Sequence, residues 1–210
     1  MRNYQQLKLP AQLLKNTEFC QPKKYAFGYG VHTNYQDLLS DQVLEIFDRM
    51  QLKVKCLVMF SLNNKTTIAD HRVVHSDVFY DGKDWQHYNC GINWEVNNTK
   101  NKMMWWDTKD AEICMPDVME RYHPIFKNLG GVHYVKRNHF GHDPLFDCID
   151  ETMIENQPVL IRTDIPHSTL YHSDTDYRVS ISIRFHETWK TWDEAVEIFK
   201  PLIVDHAAGV

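Results

Sequence analysis

The chain has 210 residues, enough for one domain with a sizeable buried core. Its formal net charge of −5 gives no overall pull toward nucleic acid or anionic lipid. The longest apolar run, Cys56–Phe60, is far too short to span a membrane, and the first residues hold no apolar core that reads as a secretory signal.

Residues 1–34 are irregular, with Pro10, Pro22 and an aromatic, glycine-rich stretch from Tyr25 to Gly30. Residues 35–47 read as one amphipathic helix, because Leu39, Val43, Ile46 and Phe47 recur at three- and four-residue steps. From Lys53 the texture turns β-like. Segments 53–61, 66–78, 86–96, 101–107, 131–137, 157–163, 167–172 and 177–186 are rich in Val, Ile, Tyr and Trp, with turn residues between most of them. Helical interludes are expected near 147–156 and 193–200, the second entered through Thr191 and Glu194 at capping-box spacing. The outline predicts a mainly β fold, a single sandwich or open barrel with helical support. Cys20, Cys56, Cys90, Cys114 and Cys148 are dispersed and form no C-x-x-C pair. Such a set suits reduced thiols in a cytoplasmic protein better than a disulfide framework or a Cys-based zinc site.

Parity within two segments adds to this outline. In Tyr177–Phe185 every odd position is apolar and every even position polar, so one face of the strand is Tyr/Val/Ile/Ile/Phe and the other Arg/Ser/Ser/Arg. His87–Val96 divides in the same way, with His, Asn, Gly, Asn and Glu opposing Tyr, Cys, Ile, Trp and Val. An ordinary half-solvated sheet would read like this. Two such strands flanking candidate ligands suggest instead a polar face lining a wet cavity.

The candidate ligands are His75, Asp77 and His167. In a strand, His75 and Asp77 project from one face about 7 Å apart, and Ile165-Pro166-His167 offers a second imidazole at the start of another strand. Two neutral imidazoles and one carboxylate occupy one triangular face of an octahedron and leave three adjacent positions open, the arrangement of non-haem Fe(II) oxygenases. With a ferrous ion this ligand set is net positive, which favours an anionic cosubstrate. Arg178 and Ser180 share the polar face of the last strand, where a guanidinium and a hydroxyl can clamp a carboxylate.

Taken in order, His75-Ser76-Asp77, His167 and Arg178-Val179-Ser180 resemble the H-x-D…H…R-x-S signature of the Fe(II)/2-oxoglutarate-dependent dioxygenases. Gly91-Ile92-Asn93, Pro166 and Ile183-Arg184-Phe185 agree with it, and the similarity covers roughly residues 53–186. The resemblance implies a double-stranded β-helix (jelly-roll, cupin-like) core over 53–186, supported by 1–52 and by a C-terminal helix and tail over 187–210. It further implies that His75, Asp77 and His167 hold Fe(II), and that Arg178 with Ser180 holds the distal carboxylate of 2-oxoglutarate. Asn93 is placed as a further cosubstrate or substrate contact. O2 is the co-reactant, and hydroxylation of a substrate C–H bond releases succinate and CO2. The substrate is an amino acid, a peptidyl side chain or a small metabolite, with no nucleic acid or membrane partner and a monomer or homodimer as the working unit. The alternatives are a cupin-like metalloenzyme that uses no oxoacid and a metal-free jelly-roll binding module.

Other features carry less chemistry. His71 and His75 are four apart, but Arg72 stands where a helical zinc-protease pair needs Glu, and Val73-Val74 disfavour a helix. His133, His139 and His142 offer a second metal set, although scattered loop histidines are usually solvent-facing. Of Trp105 and Trp106, one is expected in the core and the other facing the cavity.

Overall fold

Strands with one polar and one apolar face set the architecture. The computed structural model describes residues 2–18, 27–63, 74–80, 83–96, 101–115, 129–135, 146–155, 157–171 and 177–204. These form a mainly β structure of two antiparallel sheets with few helices. The first sheet runs β1 (Tyr4–Gln6), β11 (Val159–Arg162), β6 (Cys90–Val96), β13 (Tyr177–Phe185), β3 (Val54–Asn63), β2 (Phe27–His32). The second runs β10 (Asp147–Ile154), β7 (Asn101–Asp107), β12 (His167–Tyr171), β4 (His75–Tyr80), β9 (Leu129–Val135), β8 (Glu112–Cys114), with β5 (Trp85–His87) paired to β4.

The main core lies behind the first sheet, away from the second. The odd residues of β13, Val179, Ile181, Ile183 and Phe185, bury against Val43 and Phe47 of α2 (Asp41–Arg49) and Trp192, Ala195 and Phe199 of α3 (Trp192–Phe199). Phe185 anchors the group, with ring centroids 5.4 Å from both Phe47 and Phe199. The even residues Ser180, Ser182 and Arg184 are buried on the opposite face, turned toward the second sheet. A second core of Met103, Trp105, Ile154, Val159 and Ile161 fills one part of the space between the sheets. A third, of Val74, Trp106 and Phe146, forms a separate group.

Several elements depart from the sequence reading. The helix expected over 35–47 is two: α1 (Tyr35–Leu38) ends before Leu39, which is extended, fully buried and bridged to Leu14. Ser40 then caps α2, its Oγ accepting from Val43 N at 3.4 Å. Residues 147–154 of the segment expected as a helix near 147–156 are strand β10. It pairs with β7 along its length, and Thr152 and Ile154 turn inward. β1 and β8 are three-residue strands too short to show alternation, and β2 alternates Phe27, Tyr29 and Val31 with Gly28, Gly30 and His32 inside the segment expected to be irregular. Of the 66–78 segment, residues 66–73 lie outside the described residues, and β4 begins at His75. The capping pair is present, Glu194 N donating to Thr191 Oγ1 at 3.2 Å. Cys56, Cys90, Cys114 and Cys148 are free thiols, whereas Cys20 lies outside the described residues. No described helix is long and apolar enough to cross a membrane.

Candidate metal centre

The site is built where β4 and β12 meet. His167 is the first residue of β12 and sits directly opposite His75 in register. Directly paired residues project to one side, so both imidazoles and Asp77, two residues along β4, share a face. Asp77 is pinned at both ends of its peptide unit: its N–H donates to Thr163 O at 2.9 Å and its carbonyl accepts from Tyr88 N at 3.0 Å.

The ligand atoms of His75, Asp77 and His167 all lie within 4.8 Å of one another. Asp77 Oδ1 is 3.5 Å from His75 Nε2 and 3.9 Å from His167 Nε2. Adjacent ligands with bonds of about 2.1 Å stand about 3 Å apart, so a cation would draw Asp77 Oδ1 closer to each imidazole nitrogen by less than about an ångström. The tautomer also fits. His167 Nδ1 lies 2.9 Å from Ile165 O, a carbonyl that can only accept, so the proton sits on Nδ1 and the Nε2 lone pair faces Asp77. Burial, reinforced by the neighbouring His75, pushes the His167 pKa down to about 4, and the ring is a neutral donor at pH 7. The donor set therefore suits a divalent cation.

A fourth residue completes the cluster, and the sequence reading did not assign it there. Arg184 reaches across from β13 and donates from Nη2 to Asp77 Oδ2 at 2.5 Å. Burial alone would raise the Asp77 carboxyl, but the Arg184 guanidinium outweighs it and holds the group below the ordinary carboxylate range. Arg184 Nη1 also donates to Thr163 Oγ1 at 3.4 Å, and the guanidinium lies 5.5 Å from the Tyr88 ring centroid. Gly91 makes the crossing possible. A Cβ there would lie 2.9 Å from Arg184 Nη1 and 3.1 Å from Ser182 Oγ. The signal for Arg184 was its parity, which it shares with Arg178, combined with a glycine at 91.

The remaining expected residues are distributed around this cluster. Ser180 and Asn93 are buried on the inner face of the first sheet, on the same parity as Arg184 and Gly91 respectively. Ser180 pairs with Glu95, and Asn93 with Ser182. Among the described residues, Asn93 Oδ1 and Ser182 Oγ are buried without a hydrogen-bond partner. Arg178 stands in β13 opposite Leu62, and its side chain lies outside the described residues. Neither Trp105 nor Trp106 forms an open cavity wall. Both are buried, Trp105 stacked on Tyr4 and donating to Arg162 O, Trp106 donating to Ser168 Oγ. His133 is exposed in β9 but stands directly opposite His75 in register, with ring centroids 6.1 Å apart, so it lies beside the cluster, while His71, His139 and His142 lie outside the described residues. No known family model and no curated protein matches the chain.

Proposed function

We propose that the chain is an Fe(II)- and 2-oxoglutarate-dependent oxygenase on a double-stranded β-helix core, hydroxylating a C–H bond of an amino acid, a peptidyl side chain or a small metabolite. The observation that carries this reading is the convergence of His75, Asp77 and His167 on one point, with the His167 Nε2 lone pair turned inward. Two imidazoles and one carboxylate are the ligand set of non-haem Fe(II) oxygenases.

Electrostatics support an oxoacid partner. Arg184 offsets the Asp77 charge and His167 is neutral, so the ligands themselves leave most of a bound dication's charge in place. An anionic chelator is then favoured over a neutral one, and a dianion most of all. From Arg184 the polar row of β13 leads through Ser182 and Ser180 to Arg178, the residue proposed to hold the distal carboxylate with Ser180. Asn93 and Ser182 bring polar atoms with unused hydrogen-bonding capacity to the same face, which suits a polar ligand better than an apolar one.

When bound, Fe(II) would supply the redox chemistry by which O2 oxidises 2-oxoglutarate to succinate and CO2 and the substrate C–H to C–OH. The protein's part is to hold the cation by His75, Asp77 and His167, to hold the distal carboxylate by Arg178 and Ser180, and to keep Asp77 ionised through Arg184. The test is anaerobic addition of Fe(II) and 2-oxoglutarate, read as the weak visible charge-transfer band of a chelated oxoacid. The band is expected in wild type and lost in Asp77→Ala/His167→Ala. Its absence in wild type refutes the reading. Arg178→Ala should weaken 2-oxoglutarate binding at unchanged Fe(II) binding, and indifference to that substitution would point to a cupin-like metalloenzyme instead.

A further inference from the structure

Resting on the metal-centre reading above, we propose that Arg184 is a positioning residue that confines Asp77 to one-oxygen coordination and thereby preserves three open positions on a bound divalent cation. A carboxylate can give a metal ion one oxygen or both. Here the two oxygens are already divided. Oδ1 faces His75 Nε2 at 3.5 Å and His167 Nε2 at 3.9 Å, whereas Oδ2 accepts from Arg184 Nη2 at 2.5 Å. Chelation through both oxygens would draw Oδ2 off the guanidinium and strand a buried cation, a costly exchange.

Arg184 is well fixed for this task. Its side chain is almost wholly buried, it lies over the Tyr88 ring, and Nη1 donates to Thr163 Oγ1. Thr163 in turn receives the Asp77 N–H at its carbonyl oxygen, so guanidinium and carboxylate are located against the same residue. Gly91 leaves the space through which the guanidinium passes. The consequence is a count. A six-coordinate ion bound by two nitrogens and one oxygen has three places left, enough for a chelating oxoacid and one further small ligand. A two-oxygen Asp77 leaves only two.

The experiment uses Mn(II) alone as probe and counts its exchangeable water ligands by electron spin-echo envelope modulation in D2O. Wild type should hold three. Arg184→Met should hold two at retained Mn(II) occupancy. Three waters in folded Arg184→Met, with folding judged by circular dichroism, overturns the assignment. Should Arg184→Met fail to fold, difference infrared spectra of [4-13C]aspartate-labelled wild type on adding Zn(II) decide. A wide splitting of the Asp77 carboxylate stretches marks one-oxygen binding, and a narrow splitting overturns it. A wild type that binds no Mn(II) removes the metal centre itself, whereas one that binds Mn(II) with two waters removes only the role of Arg184.

Discussion

Replacing Arg184 by methionine leaves the Asp77 carboxylate without its partner in surroundings where the two side chains are only 7% and 16% exposed. Opposite charges about 4 Å apart at an effective dielectric of about 20 attract by about 4 kcal/mol. That agrees with the roughly 3–5 kcal/mol lost when one member of a buried ion pair is removed. For a chain of this length each kcal/mol moves Tm by about 2–4 °C, so metal-free Arg184→Met should melt roughly 6–20 °C below wild type. Asp77→Asn alone should also destabilise, because it strands the guanidinium. The double variant Asp77→Asn/Arg184→Met removes both charges and should cost less than the two single changes together, by at least about 2 kcal/mol. The assay is urea and thermal unfolding of chelator-treated protein followed by circular dichroism. Costs that add to within about 0.5 kcal/mol would refute the coupling, and with it the description of the two residues as one unit.

Three further outcomes follow from the packing and the buried charges. Phe47→Ala should cost about 3–5 kcal/mol in urea unfolding, because the ring is buried between α2 and Phe185. Mn(II) affinity should stay within about twofold of wild type, since that core lies on the far face of the first sheet. Glu187 carries a pKa raised mainly by burial, against the hydrogen bonds it accepts from Asn89 and Cys90. The folded state thus keeps this proton to higher pH than the unfolded chain, so its contribution is present at low pH and is lost as pH rises through the folded pKa. Measured between about pH 4 and about pH 7, wild type should lose stability relative to Glu187→Gln, and a pH-independent difference would contradict the shift. Thr191→Ala should cost about 1 kcal/mol through loss of the α3 cap, read as a lower urea midpoint at unchanged slope.

The two-faced character of β13 and β6 was legible in the sequence because strand parity is a property of neighbouring residues. The ligands were legible because His75 and Asp77 sit on one strand at a spacing of two. Arg184 was not, since Arg178 and Arg184 share one parity and only the meeting of two sheets decides which of them reaches Asp77. Gly91 carries half of that decision, and its meaning depends on a residue far away in the chain. The same limit bears on β10: Asp147-Cys148-Ile149-Asp150-Glu151-Thr152 shows no clean alternation of apolar and polar residues, and its strand identity comes from pairing with β7. It explains β1 as well, where Tyr4-Gln5-Gln6 has no alternation of its own and is held by register with β11. The break in the helix over 35–47 was readable in principle, because Ser40 is a strong cap, but the apolar stripe through Leu39 concealed it.

One strand is thus answerable to two different demands at alternate residues. Val179, Ile181, Ile183 and Phe185 are held by the volume of the helix layer, while Ser180 and Ser182 are buried on the opposite face, turned toward the second sheet. Change at the odd positions is therefore felt by the helix layer and change at 180 and 182 by the second sheet, so a drifting lineage could alter one face of the strand while the other stays in place.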